Sequence, residues 1–516
     1  MAEPDTLAVE EPFRLLDVPP ELLIHILSFL PTESLSACRN SSRFLNECIN
    51  DSVELQYLIA RTAAGVTDHP SAPHPITDRL TMLHARENAF KQATPSWVRS
   101  IAVPFPTSGL YEVSAGFFFL GEEDRQALRY VELPSEPAPP GAPPLEWGRI
   151  PISDPQAKII DFGLAIAEHD LVVVATFTPT GRITQGIPEG LITLEPFTMS
   201  SSHQPHPRAR AIQVRTSTWG HPSVIVEIVG DYMVFVESYR YRILEEEPRP
   251  ADHVYVYDWR TGRIVKTIEA ESGTYFAAVF LSPEVLLLPN TITATMELWD
   301  LQSEQTTPAL TLHLPRLVPG QTLTVITARG EPNPSVYTPR TLPRAPFASA
   351  VEDSIIIFHI NFLAAQFLLF IHRRALLALL AQHAAGESCD YANWGPDMCR
   401  WLDAAGMNMA WITTTAGQRC VLLLARQTSP FFVLDFNPHN VRIDRQHCIP
   451  PEADQFADHG IWAEAVGSRL ACHLTRSPNQ FELYRGVSLD DERVIAFRRN
   501  PLRHISVVDV FYYGIA

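Results

Sequence analysis

The segment most suggestive of chemistry is Lys158 to Ala165, KIIDFGLA, because an Asp-Phe-Gly step in an apolar setting is where phosphoryl-transfer enzymes hold magnesium. Pro188-Glu189 even imitates the end of an activation segment. That chemistry also needs a glycine-rich lid over the phosphates, a paired lysine and glutamate, and a His-Arg-Asp about twenty residues upstream. None of these precedes Asp161, so the segment reads as a strand and a turn. The patterns GxxxxGK[ST], GxSxG and HExxH are absent from the 516 residues. Cys389 and Cys399 have no second pair nearby, which is poor zinc spacing. His439, His447, Cys448, His459 and Cys472 are too scattered to suggest a site, and His203 and His206 fall in a Pro-rich loop. No catalytic residue, cofactor or metal site is assigned, and the chain reads as non-catalytic.

A chain without its own chemistry acts by binding, and its clearest binding element lies at the front. Residues 13–49 read as three short amphipathic helices, too few residues to bury a core alone. Pro19-Pro20 suits a helix start. Leu22, Leu23, Ile26, Leu27 and Leu30 then recur at helical spacing, flanked by Ile24 and Phe29. A helix apolar over more than half its circumference, near the end of a globular chain, expects a partner on its second side.

These residues resemble an F-box, the module that docks a substrate receptor onto the adaptor of a cullin-type ubiquitin ligase. Val18-Pro19 stands for the family's Leu-Pro, followed by Glu21-Leu22-Leu23, Ile26-Leu27-Ser28-Phe29-Leu30 and Leu35. Ser41, Arg43 and Phe44 close the motif, and Asn40 departs from it where an apolar residue is usual. The resemblance implies that Val18, Pro19, Leu22, Leu23, Ile26, Leu27, Leu30 and Leu35 contact a Skp-type adaptor, and through it a cullin.

Composition narrows the setting. Apolar residues make up 46% of the chain and charged residues 19%, which describes a well-buried globular protein, and 516 residues call for more than one unit. A formal charge of −18 argues against nucleic acid and anionic membrane as partners. Seven scattered cysteines and an acidic start, MAEPDTLAVEEP, without an apolar signal core, suggest reduced thiols in cytosol or nucleus. The one candidate membrane segment, Ile355 to Leu380, carries His359, Asn361, Gln366 and His372-Arg373-Arg374, so a buried strand followed by an amphipathic helix explains it better. Lysine is scarce, with Lys91, Lys158 and Lys266 alone. Few sites for self-modification and a nucleotide bias toward arginine both account for that.

Behind the front module, Glu54 to Ala64 and Asp78 to Ala93 read as helices bridging to the body. From Trp97 the pattern changes to short β runs, among them Tyr111 to Leu120, Leu171 to Thr178, Val224 to Val229, Tyr232 to Tyr239, Val421 to Ala425 and Phe431 to Phe436. His253 to Ala270, HVYVYDWRTGRIVKTIEA, has the strand, turn and return strand of a WD-like blade. Met296 to Leu301 repeats it, with weaker copies at Tyr130 to Leu133, Leu191 to Glu195, Phe432 to Phe436 and Phe481 to Arg485. Their spacing points to a divergent propeller of six to eight blades. Pro134 to Pro144 and Ser200 to Pro207 read as exposed loops.

The layout is also similar to a large F-box family of mushroom-forming fungi, through Leu55-Gln56-Tyr57, Trp394-Gly395-Pro396, Arg400-Trp401 and Gly417-Gln418-Arg419. The expectation is an α+β chain: residues 1–12 disordered, 13–50 an F-box, 51–95 a helical linker and 96–516 an all-β, propeller-like region binding a client protein. Its expected role is substrate recognition for an SCF-type ubiquitin ligase. The alternative is a non-ligase scaffold whose helical module packs on its own propeller or on a second copy.

Overall fold

The computed structural model describes residues 15, 18–69, 72–184, 187–201, 204–239, 250–335, 346–407, 413–423, 431–444, 448–449, 460–477 and 484–515. Four helices come first: α1 (Pro20–Ser28), α2 (Thr32–Ser41), α3 (Arg43–Asp51) and α4 (Val53–Ala64). Pro20 opens α1 where a missing N–H costs nothing. The Ser52 hydroxyl accepts the Leu55 N–H at 3.3 Å to start α4, and Gly65 at φ +65° ends it. Leu23, Leu27, Leu35, Leu45 and Ile49 close into one small core together with Leu55 of α4. The fourth helix thus supplies what three short helices lack. Asn40 is exposed on α2, so its departure from the motif leaves this core untouched.

α5 (Ile76–Gln92) leads to a ring of seven antiparallel blades, each built around four strands. Blades 1 to 6 span residues 107–151, 158–217, 223–270, 279–313, 323–403 and 415–476. Blade 7 joins Gly486–Leu489, Arg493–Arg499 and Ile505–Tyr512 to Trp97–Ala102, which forms its outer strand. Trp97 pairs with Tyr512 and Ala102 with Val507, so the two ends of the β region zip the ring shut. Blade 4 gains a parallel fifth strand, Glu387–Cys389, and blade 6 gains Cys448–Ile449.

Side chains alternate along each strand, so every blade serves two neighbours. In the apolar run Val285–Asn290, Leu286 and Leu288 pack with Val234 and Val254 of blade 3, whereas Leu287 packs with Ile356 and Phe358 of blade 5. The sequence repeats fall on third strands: Ala127–Glu132, Ile187–Thr198, Asp252–Asp258, Thr295–Asp300 and Phe431–Asp435, in blades 1, 2, 3, 4 and 6. Residues 481–483 of the last copy, and 424–425 of the run at Val421, lie outside the described residues.

Some elements differ from the sequence reading. Tyr111 to Leu120 is not one run; Thr107–Ser114 and Phe117–Glu122 form a hairpin around Ala115 and Gly116, both at positive φ (50° and 77°). Ile355 to Leu380 holds two strands, Ile355–Phe362 and Gln366–His372, before the helix Arg373–Gln382. Lys158–Ala165, by contrast, is the strand the sequence reading expected, the inner one of blade 2, followed by one helical turn. Among the described residues no helix is long and apolar enough to cross a membrane.

Strand direction gives the ring two distinct faces. Turns between first and second strands, and between third and fourth, lie on one face; the remaining connections lie on the other. All the contacts of the helical segment described next fall on the first face.

Candidate functional site

α1 carries two apolar stripes, and the structure separates them. Leu23 and Leu27 point into the module's core with Leu35 of α2, and Val18 is buried at the entry. Leu30 is half-buried and Pro19 is exposed. Leu22, Ile26 and Phe29 form the second stripe and stay open to solvent, at 55%, 43% and 74% exposure. The eight residues expected to meet an adaptor therefore divide: Leu23, Leu27, Leu35 and Val18 shape the helix from within, and Leu22 and Ile26 present its outer face. Phe29, read from sequence as a flank, is the most exposed of the stripe, with the His25 ring edge-on at 5.0 Å. Three large apolar side chains at i, i+4 and i+7 make a surface that loses free energy until something covers it.

The module is fixed to the propeller. After α4, Val66–Asp68 pairs antiparallel with Phe347–Ser349 from blade 5. Gly65 makes this approach possible, since a Cβ there would lie 2.1 Å from the Gln418 amide. Asp68 accepts from Tyr57, Arg61 and Arg79, tying α4, the ladder and α5 together. On α5, Glu87 is held between Arg86 and Arg419, and Arg419 also lies 3.4 Å from Asp435 of blade 6. The two arginines hold the Glu87 carboxyl below its ordinary range despite burial, which acts the other way. Arg419 lies over the Phe90 ring at 4.6 Å, and Phe90 stacks on Tyr513 at 4.3 Å. Arg419→Ala would strand two carboxylates at this junction and is expected to cost about 3 kcal/mol. Urea unfolding followed by circular dichroism measures it, and an unchanged midpoint would contradict the role given to the pair.

The centre of the ring holds a cavity of about 1150 Å³. Glu112 of blade 1, Asp161 of blade 2, Glu227 of blade 3 and Arg329 of blade 5 line it. Arg329 donates to Glu112 at 2.9 Å and also to Glu227. Glu112 takes a further bond from the Thr413 hydroxyl and Glu227 one from the Asn333 amide at 3.3 Å. Burial pushes the Asp161 carboxyl up to about 7, with only the Phe162 N–H and the more distant Arg329 opposing it. Beside the cavity, burial and the neighbouring Glu227 push Glu331 up to about 8. A carboxyl raised in the fold stabilises it below the ordinary carboxylate range, and that stability drains as pH climbs to about 8. Glu331→Gln is therefore expected to flatten the loss of stability between pH 5 and 8, read from melting temperatures across that range; an unaltered slope would contradict it.

The residues weighed for chemistry are dispersed. Cys389 sits on the added strand of blade 4, while Cys399 opens the outer strand of blade 5, its thiol pushed up to about 12 by burial. His203, His447 and His459 lie outside the described residues. Among the described residues no three His, Cys, Asp or Glu side chains are placed to hold a metal ion.

Residues 15–56 match the family model described as F-box-like. They form an F-box-like domain. It precedes a seven-bladed propeller, and the α1 stripe lies within it. Among solved structures, the chain is similar to the WD40 domain of Toxoplasma gondii coronin, at 8% identity and TM-score 0.38, over 81% of this chain and 87% of that one. It is also similar to BamB from Moraxella catarrhalis, at 9% identity and TM-score 0.35, over 81% and 99% of the two chains. Virginiamycin B lyase from Staphylococcus aureus gives 11% identity and TM-score 0.36, over 80% and 98%. Likenesses this distant carry no function across. Comparison with curated proteins finds no match.

Proposed function

We propose that the protein is a non-catalytic substrate receptor of an SCF-type ubiquitin ligase, acting in cytosol or nucleus. The F-box-like domain would dock a Skp-type adaptor, and through it a cullin, while the propeller holds a client protein. The observation that carries this reading is the solvent-open stripe Leu22, Ile26 and Phe29 on a helix whose opposite stripe is already satisfied. The anchored linker supports it, because transfer to a held client depends on a fixed distance between the two binding ends. The landmarks at Leu55-Gln56-Tyr57 and Trp394-Gly395-Pro396 favour kinship with the F-box family of mushroom-forming fungi.

The rival scaffold reading comes in two forms. Packing of the helical module on its own propeller would bury the outer stripe of α1, and that stripe is open. Pairing of two copies through the stripe is tested together with the receptor reading. Titrating the full chain with recombinant Skp-type adaptor in a calorimeter, with light scattering on each species, should give a saturable one-to-one complex. A chain that ignores the adaptor, or that is already a dimer through α1, would overturn the proposal.

A further inference from the structure

The outer stripe of α1 has a polar neighbour that the receptor reading leaves unexplained. His25 lies one turn after Leu22 and one turn before Phe29, and its side chain is exposed. The imidazole stands edge-on to the Phe29 ring, with centroids 5.0 Å apart. Phe29 is the most open member of the stripe, at 74%. A surface that covers the Phe29 ring therefore reaches the imidazole as well. The face of α1 that expects a partner thus carries a group whose charge can change.

Nothing within the module holds that ring in its charged form. Among the described residues the His25 imidazole makes no hydrogen bond and no ion pair, and the Ser28 hydroxyl donates to the His25 carbonyl, at 2.7 Å, instead of to the ring. The charged groups of the helices packed with α1 are Glu33 and Arg39 on α2, Arg43, Glu47 and Asp51 on α3, and Glu54 and Arg61 on α4. Arg43 is spent on Glu47 at 3.1 Å and Arg61 on Asp68. None of these groups, nor Glu21 one turn earlier on α1, forms an ion pair with His25. In the free chain water solvates the ring in either form. Against an apolar surface an imidazolium loses that water with no carboxylate of its own chain to replace it, so the covered ring has to be neutral. Histidine is the side chain that makes this change between pH 5 and 8.

We propose that His25 makes adaptor docking depend on pH: the complex forms with the neutral imidazole, and protonation of His25 opposes it. The direction follows from which state holds the proton. The bare stripe can take it and the covered stripe cannot, so affinity is full when the ring is neutral and falls as pH drops. A chain that docks from the charged state passes one proton from the imidazole to the buffer. For a histidine that must be neutral to dock, the loss of affinity between pH 7.5 and pH 5.5 is about tenfold. Leu22, Ile26 and Phe29 supply the attraction, and His25 sets the conditions under which it acts. The inference rests on the receptor reading, because the Skp-type adaptor is the surface that covers the stripe.

The test is calorimetric titration of the full chain with recombinant Skp-type adaptor across pH 5.5 to 8, in buffers of different ionisation enthalpy. Wild type should weaken about tenfold toward pH 5.5, and near pH 6 it should release a proton on docking. His25→Phe keeps a flat ring beside Phe29, and His25→Gln keeps a neutral polar group. Each should lose both the slope and the proton release, and His25→Phe should bind more tightly than wild type at pH 5.5. Circular dichroism at each pH should show the helices intact; helicity lost in step with affinity would overturn the proposal. A slope retained in both variants would assign the titration to Glu21 or to the adaptor and would also overturn it. So would a flat profile in wild type, or tighter docking at pH 5.5 than at pH 7.5, which would place a carboxylate opposite the ring. Absence of docking at every pH would sink the receptor reading and this inference with it, whereas docking with any of those contrary profiles would sink this one alone.

Discussion

Ile26→Asp is expected to abolish capture of the chain by an immobilised Skp-type adaptor while leaving its melting temperature within about a degree of wild type. Ile26 sits mid-stripe between Leu22 and Phe29, and at 43% exposure it contributes little to the module's own core. A carboxylate there is hydrated in the free chain and costs nothing to fold. In the docked state it would be buried opposite an apolar surface with no cation to meet it. The penalty for such an unpaired charge is about 3–5 kcal/mol, a loss in affinity on the order of a thousandfold. Recovery on adaptor resin, quantified beside circular dichroism of the same preparations, checks both halves. Equal recovery of variant and wild type would remove α1 from the interface, and joint loss of recovery and helicity would show that the stripe belongs to the core.

The second large effect concerns the ring itself. Arg373 is fully buried where blades 4 and 5 meet, and its guanidinium serves main-chain carbonyls instead of a carboxylate. It donates to Gly330 at 3.1 Å, Pro332 at 2.9 Å and Phe280, and its Nε reaches the Ser354 hydroxyl at 2.9 Å. Burial lowers its pKa to about 10, still far above neutral, so the charge persists and the bonds stay charge-assisted. Arg373→Met keeps the stem and deletes every donor. Several buried oxygens then lose their partners, and the expected cost is about 3 kcal/mol or more. In urea this appears as an earlier midpoint with an unchanged slope. A variant as stable as wild type would mean that those carbonyls find water or other donors.

Arg373 also marks where sequence reading stops. Within His372-Arg373-Arg374 it counted as a reason against a membrane span, and nothing local to it reveals that four oxygens from distant parts of the chain converge on it. The same limit applies to Glu87 and Arg419, which lie 332 residues apart in the chain. It applies again to Glu112, Asp161 and Glu227, one from each of three blades, whose shared cavity exists only after the ring closes. What is written locally was legible. The repeated apolar-acidic runs fall on third strands because an alternating strand packed on both faces leaves a recurring imprint. The hairpin at Ala115-Gly116 reads as a single run because its turn carries none of the usual Asn or Asp. In α1 the helix was legible, but the direction of its two stripes was not. Leu22 and Leu23 are chemically identical, and only the placement of α2, α3 and α4 decides which one turns inward.

Photo-crosslinking from Phe29 tests the central claim most directly. With p-benzoylphenylalanine in place of Phe29, irradiation in the presence of recombinant Skp-type adaptor should yield a heterodimeric product, with the peptide joined to the adaptor identifiable by mass spectrometry. Products that join position 29 to the chain's own propeller, or to a second copy, with the adaptor left unlabelled, would contradict the account.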